Sequence, residues 1–214
     1  MFSVILPTIW VPDINKIDSS INKISENNLV SEILLINNAP HIYSNRYNDN
    51  PKVRELQFKN IYVNPAWNVG VSESKNDFIC FVQDDLEFNP DIFDFMLKNL
   101  NRQDIKIVGM SKSCYSLDVD HTYTLEKVDV RNKGWGCIMF FKKSNYINIP
   151  NDLKIYFGDD YLIKHMSGYV WKVEGLRVVS KTSTSVVSNP EFEKIIREDT
   201  QNSRKYELPW SNDY

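Results

Sequence analysis

The stretch 78-FICFVQDDLEFNP-90 decides the fold. Phe78 to Val82 is an apolar run of strand length that ends in Gln83-Asp84-Asp85, and the chain then breaks at Asn89-Pro90. Two adjacent carboxylates at the end of a buried strand repel each other and lose hydration. They are tolerated there only with something cationic beside them. What that cation is bears directly on what the protein does.

Working outward, Phe2 to Leu6 is a second short apolar run, stopped by Pro7. Asp13 to Asn28 carries Ile14, Ile17, Ile21 and Ile24 three or four apart, which predicts an amphipathic helix. Glu32 to Ile36 reads as a strand ending at Asn37-Asn38, and Ile61-Tyr62-Val63 as another before Asn64-Pro65. A short helix is expected over Asn68 to Lys75. Strands alternating with helices through short loops predict an α/β domain with a mostly parallel central sheet. Ligands of such sheets sit beyond the carboxyl ends of the strands. Pro7-Thr8, Asn37-Asn38, Asn64 to Gly70, and Gln83-Asp84-Asp85 all follow predicted strands, so they should converge on one edge. Each is an ordinary turn sequence by itself, and their convergence is what points to a site.

In the second half, Ile105 to Met110 reads as a strand and Tyr123 to Val130 as an exposed, alternating one. Lys133-Gly134-Trp135-Gly136 leads into Cys137 to Phe141, a strand buried on both faces. Lys154 to Phe157 precedes Gly158-Asp159-Asp160 and a helical pattern from Tyr161 to Met166. Val170 to Val173 and Leu176 to Val179 are short strands, Ser180 to Ser185 is a polar run, and a helix is expected from Pro190 to Asp199.

Composition narrows the class. The 214 residues suit one domain with a sizeable core, and 25 Lys and Arg against 28 Asp and Glu give no broad basic surface for nucleic acid. Three widely spaced cysteines in or beside apolar runs, Cys80, Cys114 and Cys137, read as reduced residues of a cytoplasmic protein. No apolar run reaches the roughly 18–20 residues of a membrane span.

The chemistry rests on two carboxylate pairs. Asp84 and Asp85 at a strand end suit a hard divalent cation, which takes one or two protein carboxylates and leaves places for phosphate oxygens. Their bland reading is a turn with one capping and one solvated Asp. Asp159-Asp160 precedes a helix, so capping explains one of them; a carboxylate there also suits removal of a proton from a hydroxyl nucleophile.

The order of Ser3 to Thr8, Leu34 to Asn38, Asn64 to Gly70 and Phe81 to Phe88 resembles the GT-A glycosyltransferases, especially the family 2-like ones. Gly134-Trp135-Gly136 with the apolar strand after it, Tyr156 to Asp160, and Gly168-Tyr169 fit the acceptor half of the same pattern. The resemblance implies a Rossmann-like nucleotide-diphospho-sugar transferase fold over residues 1–188. Residues 1–100 would form the donor half and 101–188 the acceptor half, with 189–214 a C-terminal helix and tail. It implies donor binding by Pro7, Thr8, Asn37, Asn38, Asn68, Gly70, Gln83 and Asp84, and Mn2+ or Mg2+ on Asp85. Asp160 would be the base of an inverting displacement, with Asp159 an acceptor or sugar contact beside it. Gly134 and Trp135 would meet acceptor or sugar, although a plain core Trp fits Trp135 equally well.

The sequence departs from the family pattern twice. Gln83 stands where the DxD motif has its first carboxylate, and Lys181 lies where relatives often carry a metal-binding His. A protonated Lys cannot ligate, and would neutralise the diphosphate directly. The implied partners are a nucleotide sugar, a UDP-sugar first, and a glycan acceptor, with a modified DNA base as a lesser alternative. A nucleotidyltransferase and a non-catalytic sugar-nucleotide-binding relative are the rival readings. The first usually shows a glycine-rich basic loop after its first strand, which Pro7 to Pro12 is not.

Overall fold

The structure, a computed structural model, describes residues 1–10, 13–116, 122–129, 131–180 and 190–208. Ten strands and five helices are assigned among them. The strands are β1 (Phe2–Thr8), β2 (Val30–Asn37), β3 (Val53–Gln57), β4 (Phe78–Val82), β5 (Leu86–Phe88), β6 (Ile105–Met110), β7 (Thr124–Lys127), β8 (Ile138–Lys142), β9 (Tyr169–Glu174) and β10 (Val178–Ser180). The helices are α1 (Ile14–Glu26), α2 (Val63–Glu73), α3 (Ile92–Asn99), α4 (Gly158–His165) and α5 (Pro190–Lys205).

Eight strands form the central sheet in the order β3-β2-β1-β4-β8-β6-β9-β7. β3, β2, β1 and β4 pair in parallel, so the loops after β1, β2 and β4 leave the sheet at the same edge. β8 inserts antiparallel between β4 and β6, and β7 is antiparallel to β9. The sheet is mostly parallel in its first half and mixed in its second. β5 and β10 form a separate antiparallel pair, with Ser180 opposite Leu86.

Alternation along the strands divides the core between the two faces. Phe2, Val4 and Leu6 of β1 pack with Ile17, Ile21 and Ile24 of α1 and with Ile92, Phe93 and Met96 of α3. Ile5 points the other way, towards Ala66, Trp67 and Val71 of α2 and Leu162 of α4. α2 lies close on β1 because Gly70 has no side chain: a Cβ there would stand 2.3 Å from Cγ2 of Ile5. Gly70 is thus a packing residue in this fold.

Several expectations change. Ile61 to Val63 is not a strand, since Val63 begins α2, and Pro65 sits in that helix's first turn, where its missing N–H costs nothing. The third parallel strand is β3, whose Arg54, Glu55 and Gln57 lie at the half-exposed edge of the sheet. Trp135 is fully buried, covering Gly109 of β6 and donating its indole N–H to the Trp171 carbonyl at 3.2 Å. The expectation that it offers a face to a sugar is therefore corrected. It is a core tryptophan.

Candidate active site

At the common strand edge the loops after β1, β2 and β4 are tied together. The Thr8 hydroxyl donates to Asp84 Oδ2 at 2.6 Å and accepts from the Trp10 amide at 2.9 Å. The Asn38 amide donates to the Thr8 carbonyl at 2.9 Å. Asn37 is buried and its side chain is fully used. Its oxygen accepts from Trp10 Nε1 at 2.8 Å and the Ala39 amide at 3.0 Å, and its nitrogen donates to the Tyr43 carbonyl and to Glu55. Asn38 likewise accepts from the Ile61 amide at 3.2 Å and donates to the Tyr62 carbonyl at 3.4 Å. Both asparagine side chains thus build the loops at this edge.

Asp84 and Asp85 are both half-buried. Desolvation pushes the Asp84 carboxyl up to about 7; the Thr8 hydrogen bond opposes the rise and the charge of Asp85 adds to it. Asp85 accepts from the Ser180 hydroxyl at 2.7 Å, because the β5–β10 pair carries Ser180 back beside it. Among the described residues neither Asp84 nor Asp85 has an ion pair. Among the described residues the two anions are compensated by the Thr8 and Ser180 hydroxyls and, at Asp84, by a backbone hydrogen bond.

The second pair is compensated from within. Arg131 grips both oxygens of Asp160, through Nε to Oδ1 and through an Nη at 2.6 Å to Oδ2, while its Nε stands 3.4 Å from Asp159 Oδ2. The Asp160 side chain has no exposed surface and that of Asp159 is 16% exposed. Burial disfavours an unpaired carboxylate, and Arg131 is the partner that compensates Asp160.

The two pairs share one neighbourhood. The Gln83 amide donates to the Cys137 carbonyl at 3.1 Å, extending the β4–β8 ladder. Gly136, one residue earlier, lies against Asp159, where a Cβ would stand 2.6 Å from Oδ2. The Cys137 thiol is pushed up to about 11 by burial. Its hydrogen bond with Tyr115 opposes that, and the charges of both Asp85 and Asp159 add to it. The 136–137 segment thus touches both corners: Gly136 lies against Asp159, and the Cys137 carbonyl holds the Gln83 amide next to Asp84. Gly134 makes the turn before them in the left-handed region, φ +79°, with Tyr115 packed against its Cα.

No protein-family model matches the sequence, and no curated protein matches it either. Solved structures do. Residues 1–349 of S. aureus TarS in complex with UDP-GlcNAc superpose with a TM-score of 0.63 at 13% identity, over 93% of this chain and 65% of that one. GalNAc-T7 with UDP, GalNAc and Mn2+ gives 0.60 at 11% identity, over 84% and 43%. Both are GT-A glycosyltransferases. The chain has the GT-A fold. HddC from Yersinia pseudotuberculosis complexed with GMP-PN gives 0.57 at 16% identity, over 94% of this chain and 99% of that one. The chain spans 64% of the length of the TarS 1–349 structure.

Within this GT-A fold, Pro7, Thr8, Asn37, Asn38, Gln83, Asp84 and Asp85 gather at one strand edge, and Gly134 and Asp159 lie across Cys137 from them. Asn68 is used elsewhere: its amide donates to the Ile149 carbonyl at 2.8 Å and accepts from the Ile149 amide and the Tyr146 hydroxyl. It clamps the 146–149 segment, away from the Asp84–Asp85 corner. Lys181 lies outside the described residues. Arg131 and Ser180 were missed. The rule that adjacent carboxylates need a cation, applied to Asp159-Asp160, asks for one, but nothing in the sequence singles out Arg131.

Proposed function

We propose that this chain transfers a sugar from a nucleoside diphosphate, UDP first, to an acceptor hydroxyl. The observation that supports it most is the contrast between the two acid pairs. Asp159-Asp160 carries its own cation, whereas Asp84-Asp85 has none among the described residues and holds one carboxyl near 7. Such a corner suits a divalent ion brought in with a diphosphate. The donor set agrees: one half-exposed carboxylate on Asp85, and no group of three or more His, Cys, Asp or Glu among the described residues able to cage an ion alone. An ion held that way is a hard one, Mg2+ or Mn2+, that fills its other places with phosphate oxygens and water. GalNAc-T7, similar in fold, was solved with Mn2+ and UDP. When bound, the ion supplies charge to offset that gathering on the departing diphosphate.

The chain's own groups do the rest. The loops at Pro7-Thr8 and Asn37-Asn38 hold the nucleoside, and Thr8 fixes Asp84 towards it. Asp159 accepts the acceptor hydroxyl's proton. That oxygen forms a bond to the anomeric carbon as the carbon–oxygen bond to the diphosphate breaks, and the electron pair leaves with UDP. A single displacement of this kind inverts the anomeric centre. Asp159 takes this role in place of Asp160, because Arg131 engages both oxygens of Asp160 whereas Asp159 is partly open.

A second reading is nucleotidyl transfer; HddC, which matches this chain over 99% of its own length, was solved with GMP-PN. Purified protein, incubated with Mn2+ and either a panel of nucleotide sugars or sugar 1-phosphates with nucleoside triphosphates, separates the two. Transfer or slow hydrolysis releases nucleoside diphosphate, and this is the expected product. Nucleotidyl transfer instead joins a sugar phosphate to a nucleoside triphosphate and releases pyrophosphate. Specific binding with neither product would mark a non-catalytic relative.

A further inference from the structure

We infer that the C-terminal segment 190–208 clamps the helix that bears Asp159, and that Asp199 of α5 is its positioning residue. As a role in catalysis this rests on the transferase reading; as a clamp it stands on geometry alone.

The loop 153–156 leads into Asp159 and Asp160 and belongs to no strand or helix. Its backbone groups must find partners elsewhere. Asp199 is completely buried, although an acid in a polar C-terminal helix ordinarily faces water. Its Oδ1 accepts from the Lys154 amide at 2.9 Å, and its Oδ2 accepts from the amides of Ile155 and Tyr156, both at 2.8 Å. Asn64 of α2 holds the same loop by its carbonyls. Its side-chain nitrogen donates to the Leu153 and Tyr156 carbonyls at 3.0 and 3.1 Å, and its own amide donates to the Lys154 carbonyl. The amides of Lys154, Ile155 and Tyr156 are thus taken by α5, and the carbonyls of Leu153, Lys154 and Tyr156 by α2.

Directly after this grip the chain turns through Phe157 at φ +63°, a left-handed conformation that a bulky residue adopts only when its surroundings enforce it. Gly158 follows, packed so tightly on Asn64 that a Cβ would stand 2.1 Å from its oxygen. Asp159 comes next. The far end of α4 is held by the same C-terminal segment. Lys164 donates to the carbonyls of Tyr206 and Glu207 at 2.8 and 2.9 Å, and Leu208 is buried in the core beneath. Two hydrogen-bonded attachments, one on each side of α4, fix where its first turn presents Asp159. A base misplaced by about 1 Å loses on the order of a hundredfold in rate.

The test compares Asp199→Ala and Asp199→Asn in the full chain. Asn keeps the volume and one acceptor oxygen, so its losses should be the smaller. Amide exchange at Lys154, Ile155 and Tyr156 should rise at least about tenfold in the Ala variant while amides of β1 and β4 keep their wild-type protection. Binding of UDP with Mn2+ should stay unchanged, and kcat should fall by about a hundredfold at an unchanged donor KM. Wild-type exchange in the loop, or a loss spread evenly over the sheet, overturns the clamp. Wild-type kcat with a loosened loop overturns the positioning role. If the wild-type chain transfers no sugar from any donor, the transferase reading fails separately, and the exchange result alone decides the clamp.

Discussion

Replacing Asp85 with Asn is expected to lower sugar transfer by about a thousandfold while the protein remains folded. The side chain keeps its size and an oxygen for the Ser180 hydroxyl, which now bonds Asp85 at 2.7 Å, so the β5–β10 pair is undisturbed. What disappears is the negative charge. That charge is also one of the causes raising Asp84. The sign of the stability effect follows. Asp84 binds its proton more tightly in the folded chain, at about 7, than at the ordinary value of 3.8. Its contribution is therefore most favourable below about pH 4 and is lost as pH rises towards 7. Removing the neighbouring anion eases that loss, so without metal the variant should melt at or slightly above wild type at neutral pH. A variant that is inactive because it is unfolded would not behave this way. Wild-type turnover by Asp85→Asn would refute Asp85 as the metal carboxylate.

The second large effect separates the two acids before α4. Asp159→Asn should reduce kcat by about 10³-fold, leaving donor KM and the melting temperature close to wild type. Asp160→Asn should act through the fold. It halves the charge-assisted grip on Arg131, whose side chain is only 10% exposed, and leaves a buried guanidinium short of its counter-ion. Breaking such a pair costs about 3–5 kcal/mol, which corresponds to a fall of roughly 10 °C in Tm for a chain of this size. The reverse pattern, a stable but inactive Asp160→Asn beside an active Asp159→Asn, would return the base to Asp160.

Several of these features were legible in the sequence for clear physical reasons. β1, β2 and β4 are almost wholly buried and centre on apolar runs, so their carboxyl ends, and the loops converging there, could be placed. β3 was not legible: Val53–Gln57 lies at the sheet edge, where half-exposed positions tolerate Arg54, Glu55 and Gln57 and erase the apolar signal. The eight residues of α3 are too few to establish a helical period after Pro90. Asn68 and Trp135 show a different limit. Both residue types suit a ligand, and only packing shows that one binds the 146–149 segment and the other fills the core. Asp199 was the least visible, because a carboxylate within an otherwise polar helix reads as surface charge until its three amide partners are seen. The need for a cation at Asp159-Asp160 was legible, and only the identity of Arg131 as that cation required coordinates.

The central claim is that Asp85 joins a divalent ion to a nucleoside diphosphate. Thermal melting of wild type and Asp85→Asn with UDP, in Mn2+ and in EDTA, tests it most directly. UDP at a hundred times its Kd stabilises a single-site binder by about 2.7 kcal/mol, a rise of roughly 5–10 °C in Tm here. The account predicts that wild type gains most of that rise only when Mn2+ is present, and that Asp85→Asn gains no more in Mn2+ than in EDTA. An equal Mn2+-dependent rise in both proteins would contradict it.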